Sequence, residues 1–216
     1  MSDGEGRGPM QAQGMVDRVE GVDRIEQATV AAARTGDVAA FAALFDSYQG
    51  PITSYLYRLT GSRETADDLA QETFIKAFRA LGRTPDDLNF RAWLYRIATN
   101  TSASWHRRQR LLTWLPLVRD GDDGASGSEP GDDPRMAERV AEQELVAAAL
   151  RVIGPKHASA LLLRHHLRLS VEETASALDI SANTAKVRLF RARKAFIDAY
   201  AALDQQRTPA QPERES

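Results

Sequence analysis

The chain contains no cysteine. Disulfides, thiol nucleophiles and cysteine-ligated metal sites are excluded with it. No apolar run approaches the roughly 20 residues that a membrane-spanning helix needs. The opening stretch MSDGEGRGPMQAQG lacks the apolar core of a secretory signal. These absences predict a soluble, cytoplasmic protein with no membrane insertion. His106, His157, His165 and His166 lack metal-ligand spacing, and no Gly-rich phosphate loop follows a strand pattern. No nucleophile stands with a base at a recognisable interval. The expectation is a non-enzyme that holds neither metal nor cofactor.

What is present is helical periodicity and segregated charge. The net charge of -2 would argue against a nucleic-acid partner if it were evenly spread. It is not. Between Leu88 and Arg119 the charged residues are Arg91, Arg96, Arg107, Arg108, Arg110 and Arg119, with no acid. Asp120, Asp122, Asp123, Glu129, Asp132, Asp133, Glu138, Glu142 and Glu144 follow, against Arg135 and Arg139. From Ser181 to Ile197 the charge is purely basic again. Screening limits a charge's reach to about 8 Å at physiological salt, so local sign governs phosphate contact. Two cationic surfaces flank an acidic strap.

The apolar spacing predicts an all-α chain of two helical domains joined by a flexible acidic linker. Residues 1–25 are expected to be a disordered extension, 26–110 and 138–203 the two domains, 111–137 the linker and 204–216 a flexible tail. In the first domain, helices are expected on either side of Gly36-Asp37, with Asp37 as a cap and Gly50-Pro51 as a break. The stretch 62–81 follows, with Ser62 or Thr65 as its cap. Its inner face is Ala66, Leu69, Ala70, Phe74, Ala77, Phe78 and Leu81, and Asp67, Asp68, Gln71 and Glu72 form a polar strip opposite. Acids in a first turn suit the helix dipole, which accounts for only part of that strip. A loop at 82–89 leads into a helix over 90–110, where arginines mix with Trp93, Tyr95, Trp105, Asn100, Thr101 and Ser102. Arginine and aromatic planes suit stacking on unpaired bases, and amides suit base edges. The apolar LLTWLPLV at 111–118 is expected to dock on the first domain or on a partner.

The second domain ends in SVEETASALDISANTAKVRLFRARK at 170–194. Ser170 and Glu173 have capping-box spacing, Asp179-Ile180-Ser181 forms a tight turn, and Ser181 caps the next helix. That helix places Ala185, Leu189 and Ala192 inward, while Lys186, Arg188, Arg191, Arg193 and Lys194 crowd the rest of its surface. A cationic helix with one apolar seam, held on a short support helix, is laid out as a helix-turn-helix DNA reader. On these residues alone, a stand-alone regulator binding duplex DNA remains an open reading.

The segments ADDLAQETFIKAFRAL at 66–81 and FRAWLYRIATNTSASWHRRQR at 90–110 resemble region 2 of an extracytoplasmic-function sigma factor of the sigma-70 family. LLLRHHLRLSVEETASALDISANTAKVRLFRARKAF at 161–196 resembles its region 4. The resemblance implies a subunit that binds core RNA polymerase and directs promoter recognition, melting and initiation, for a stress or envelope-signal regulon. It implies polymerase clamp-helix contact through Asp67, Asp68, Gln71 and Glu72, with the polymerase flap as a further contact of the chain. It implies −10 contact through Phe90, Arg96, Asn100, Ser104, Arg107, Arg108 and Arg110. It implies −35 contact through Ser181, Asn183, Thr184, Lys186, Val187, Arg188, Phe190, Arg191 and Arg193. An anti-sigma factor is the implied release partner. The chain departs from the family pattern at Asp179, where Gly is usual, and at Thr174 and Ala185, where larger apolar residues are usual. Val187 stands where a small polar residue is common, and Ile153-Gly154-Pro155 replaces the usual Leu-Pro-Pro.

Overall fold

A computed structural model describes residues 24–113 and 134–207, and the regular structure in these is helical throughout. The expectations for the N-terminal extension, most of the linker with Trp114 to Val118, and the end of the tail lie outside the described residues. Two compact units emerge: one combines the chain up to Gln49 with Phe78–Leu88, the other combines Gly50–Ala77 with Asn89 onward.

In the first unit, α1 (residues 24–34) ends at Gly36, whose φ of 99° only glycine adopts without strain. Asp37 then caps α2 (Val38–Thr60), its Oδ1 accepting from the backbone N–H of Ala39 at 2.9 Å and of Ala40 at 3.1 Å. Arg34 reaches the loop after the next helix, donating to Asp86 Oδ1 at 2.5 Å and to the Thr84 carbonyl at 2.7 Å. Phe41 and Phe78 meet edge to face, 5.0 Å between centroids.

The expected break at Gly50-Pro51 is absent: α2 runs straight through Pro51. A proline inside a helix costs about 3 kcal/mol. Ile52, Tyr55 and Leu56 immediately after it are fully buried. Burying each such side chain contributes about 1.5–3 kcal/mol, which outweighs the cost. Gly61, at φ 78°, ends α2, and Ser62 Oγ caps α3 (Arg63–Leu81) by accepting from Thr65 N–H at 3.2 Å. Ala66, Leu69, Ala70, Phe74, Ala77 and Leu81 are buried as their spacing predicts, but Phe78 is 53% exposed.

Asn89 caps α4 (Phe90–Thr113), accepting from Ala92 N–H at 2.9 Å. Tyr55 and Tyr95 cross edge to face at its base, and Tyr55 Oη lies 2.8 Å from Thr99 Oγ1. Burial drives the Tyr55 hydroxyl well above its ordinary range and pushes Tyr95 to about 12.

After the linker come α5 (Pro134–Ile153), α6 (Pro155–Leu161), α7 (Val171–Leu178) and α8 (Ala182–Arg207). The apolar spacing of residues 156–167 predicts one continuous helix, but the chain widens into a π-helical turn at Leu162–His166. Its closing bond runs from Leu167 N–H to the Leu162 carbonyl at 2.9 Å, and Arg168 adopts φ 56°. That reversal lets Leu163 and Leu169 both enter the core, at 0% exposure. Helix α8 packs against α5, α6 and α7, and α7 also packs against α4.

Candidate nucleic-acid and polymerase interface

The capping box at the start of α7 forms in both directions. Ser170 Oγ accepts from Glu173 N–H at 3.0 Å, and Glu173 Oε2 accepts from Ser170 N–H at 2.7 Å. Asp179 takes the left-handed conformation at φ 55°, ψ 49°, which Asp tolerates better than most residues. Ser181 Oγ then caps α8 through Thr184 N–H at 3.2 Å. Ala175, Ala185, Leu189 and Ala192 are buried, Leu189 and Ala192 in one cluster with Ala160 and Leu161 of α6, and α7 packs on α8.

Ser181, Asn183, Thr184, Lys186, Val187, Phe190, Arg191 and Arg193 are exposed on the far side of α8. Phe190 is 70% exposed and Val187 45%. Large apolar side chains left in water among cations suit a helix made to be covered. Arg188 is half-buried, and burial lowers its guanidinium below the ordinary range. Arg193 Nη2 lies 3.4 Å from His165 Nε2. Burial first, and then Arg193 and Arg164, lower the His165 ring.

On α3, Asp67, Asp68 and Gln71 are exposed and Glu72 half-exposed, forming the strip the spacing predicts. Asp67 Oδ2 is 3.3 Å from Arg63 Nε, and Glu72 Oε1 is 2.7 Å from Lys76 Nζ. Such exposed pairs are worth about 0–1 kcal/mol and exchange readily for a partner's charges.

The α4 residues divide. Asn100, Arg107, Arg108 and Arg110 are exposed. Ser104 donates back to the Asn100 carbonyl at 2.8 Å and accepts from Arg107 Nη2 at 2.9 Å. Phe90 is only 3% exposed and packs on Trp93, so its side chain faces the core. The Arg96 guanidinium is engaged by Asp179 Oδ1 at 2.8 Å. Beside it, Asn89 Nδ2 donates to Glu173 Oε1 at 3.1 Å and Arg91 donates to the Leu167 carbonyl. The sequence carries no signal for these three contacts, because they join positions more than 70 residues apart. They cover one face of α4 with α7.

Residues 44–111 match the family model for sigma-70 region 2, and residues 143–196 match that for sigma-70 region 4. The sigma factor YlaC of Bacillus subtilis is 33% identical over 150 residues, covering 69% of this chain and 86% of its own. The chain belongs to the sigma-70 family, in its extracytoplasmic-function group. This sigma factor directs RNA polymerase to promoters and is not an enzyme. The sigma-H factor of Pseudomonas aeruginosa is 33% identical over 181 residues, covering 79% of this chain and 91% of its own. The extracytoplasmic-function sigma-E factor of Haemophilus influenzae is 31% identical over 174 residues, with 78% and 92% covered. Among solved structures, CnrH in complex with the cytosolic domain of CnrY superposes with a TM-score of 0.60. It is 24% identical, with 83% of this chain and 97% of CnrH covered. RpoE with the anti-sigma factor NepR from Bartonella quintana gives 0.59 at 21% identity, with 75% and 97% covered. These likenesses bear on the fold. Among the described residues no helix is long and apolar enough to cross a membrane, and no group of His, Asp or Glu side chains gathers to hold a metal ion.

Proposed function

We propose that this sigma factor docks on core polymerase through Asp67, Asp68, Gln71 and Glu72, and reads the −35 element through the exposed side of α8. The observation that carries the −35 reading is the solvent-facing row Lys186, Val187, Phe190 and Arg191 above a fully packed seam. Lys186 and Arg191 suit guanine edges and Val187 suits a thymine methyl, while Ser181, Asn183, Thr184, Arg188 and Arg193 suit phosphates. Along α4, Asn100 suits unpaired bases of the −10 element, with Arg107, Arg108 and Arg110 on the backbone. Phe90 acts by seating α4.

Arg96 has the chemistry for the −10 strand but is held by Asp179. Releasing it from that exposed pair costs about 1 kcal/mol or less, and polymerase binding is the event proposed to move α7 away from α4. An anti-sigma factor that favours the packed arrangement would oppose that step. The setting is cytoplasmic, where core polymerase is found.

In vitro transcription with core polymerase, with and without this chain, on a genomic promoter library tests the reading. Initiation that depends on the chain is expected from one promoter class. A chain that shifts duplex DNA but supports no initiation would instead be a stand-alone regulator.

A further inference from the structure

A cavity of about 530 Å³ opens between the second half of α4 and the α5–α6 junction, with α7 and α8 closing one side. Arg107, Arg110, Lys156 and Arg188 converge on it from three helices, and no carboxylate lines it. Like charges gathered round a partly desolvated space repel one another unless an anion joins them. Burial already lowers the Arg188 guanidinium, the direction an anion would reverse. Ser102 sits in the wall, 1% exposed, with its Oγ enclosed and without a hydrogen-bond partner.

The remainder of the wall is of another kind. Leu59, Ala103, Ile153, Pro155 and Leu178 offer apolar surface. His106, which burial and then Arg110 keep toward its neutral form despite the bond to the Leu59 carbonyl, adds a ring edge. A cationic rim beside an apolar wall matches a molecule with several phosphates on an uncharged ring system. The volume lies within the range of small-ligand pockets and is far too small for a duplex.

We propose that this cavity binds a nucleoside polyphosphate, with the phosphates on Arg107, Lys156 and Arg188 and the base against the apolar wall. Such a ligand ties α4 to α6 and α8. A further consequence rests on the DNA reading above: the ligand withdraws Arg107 and Arg188 from promoter phosphates.

Isothermal titration of the full chain with GTP, ATP, inorganic pyrophosphate and guanosine tests the site. The triphosphates are expected to bind with Kd on the order of 10–100 µM, with pyrophosphate about tenfold weaker and guanosine weaker still. K156E is expected to weaken the triphosphates at least about tenfold with an unchanged circular-dichroism melt. A photoreactive 8-azido-ATP should label peptides spanning 99–110 or 153–159. The proposal is overturned by no binding, by binding that K156E leaves intact, or by labelling confined to 183–194. It is also overturned if pyrophosphate equals GTP, or if binding appears only after Asp120, Asp122 and Asp123 are changed to Asn, which would make the chain's own acids the occupant. GTP that binds as expected yet does not compete with a promoter fragment would leave the site standing and count against the α4 and α8 phosphate contacts.

Discussion

Glu173 serves two partners at once: its carboxylate accepts from the Ser170 N–H and from the Asn89 amide. Burial alone would raise this group, but those hydrogen bonds, with the Arg91 charge, hold it below the usual carboxylate range. A group depressed in the folded state adds stability that is complete above its unfolded value. That stability is lost as pH falls through the folded value. The helix-turn-helix should therefore weaken below about pH 4.3, where an ordinary glutamate protonates. E173Q should lose about 1 kcal/mol at neutral pH and show a flatter acid limb, read by urea melts across pH. Thr174 offers the opposite case. It is 0% exposed and its hydroxyl lacks a hydrogen-bond partner. T174V removes that hydroxyl at nearly constant shape and is expected to stabilise the chain by about 1 kcal/mol, seen as a higher urea midpoint. The Ser170–Glu173 box was legible because a cap is written in residues three apart. The empty hydroxyl at Thr174 was not, because its partners would have to come from other helices.

Helices α3 and α8 carry the faces proposed for polymerase and for the −35 element, opposite inner sides that were readable from spacing. On α8, K186A and R191A should each lower −35-dependent transcription about 5- to 150-fold, the equivalent of about 1–3 kcal/mol per good base contact. Run-off assays on a promoter with a scrambled −35 element check this, since the variants should then differ little from the parent. On α3, D68K combined with E72K should abolish co-elution with core polymerase while leaving the melting curve in place, because both side chains lie at the surface. Retained co-elution would remove the strip from the polymerase contact. Where the reading of elements failed, burial overrode local signals. Pro51 marked a break that the packing of Ile52, Tyr55 and Leu56 cancelled. A smooth helix over 156–167 gave way to a π-helical turn that admits both Leu163 and Leu169 to the core. Phe78, assigned inward on α3, stands half in water beside Phe41.

Across the molecule, α4 packs against α7, with Arg96–Asp179 as an ion pair between them. Both side chains are well exposed, so solvent screening limits the pair to about 1 kcal/mol or less. D179N keeps a residue that tolerates the left-handed turn while deleting the charge. Because the chain has no cysteine, spin labels at S104C and S176C report the α4–α7 distance without competing sites. D179N should shift the population away from the packed arrangement by up to about fivefold. An unchanged distance distribution would show that packing and the Asn89 and Arg91 contacts suffice without the pair. Composition, periodicity and caps were enough to establish an all-helical chain with a helix-turn-helix and an acidic strip on α3, since each depends on residues within a few turns of one another. The sigma family was legible only through the resemblance of the 66–110 and 161–196 motifs. The covering of Arg96 by Asp179, the burial of Phe90 and the gathering of Arg107, Lys156 and Arg188 round one cavity arise between segments far apart in the chain. Spacing along a chain carries no record of which distant helix will face a given side chain, so these features come from packing.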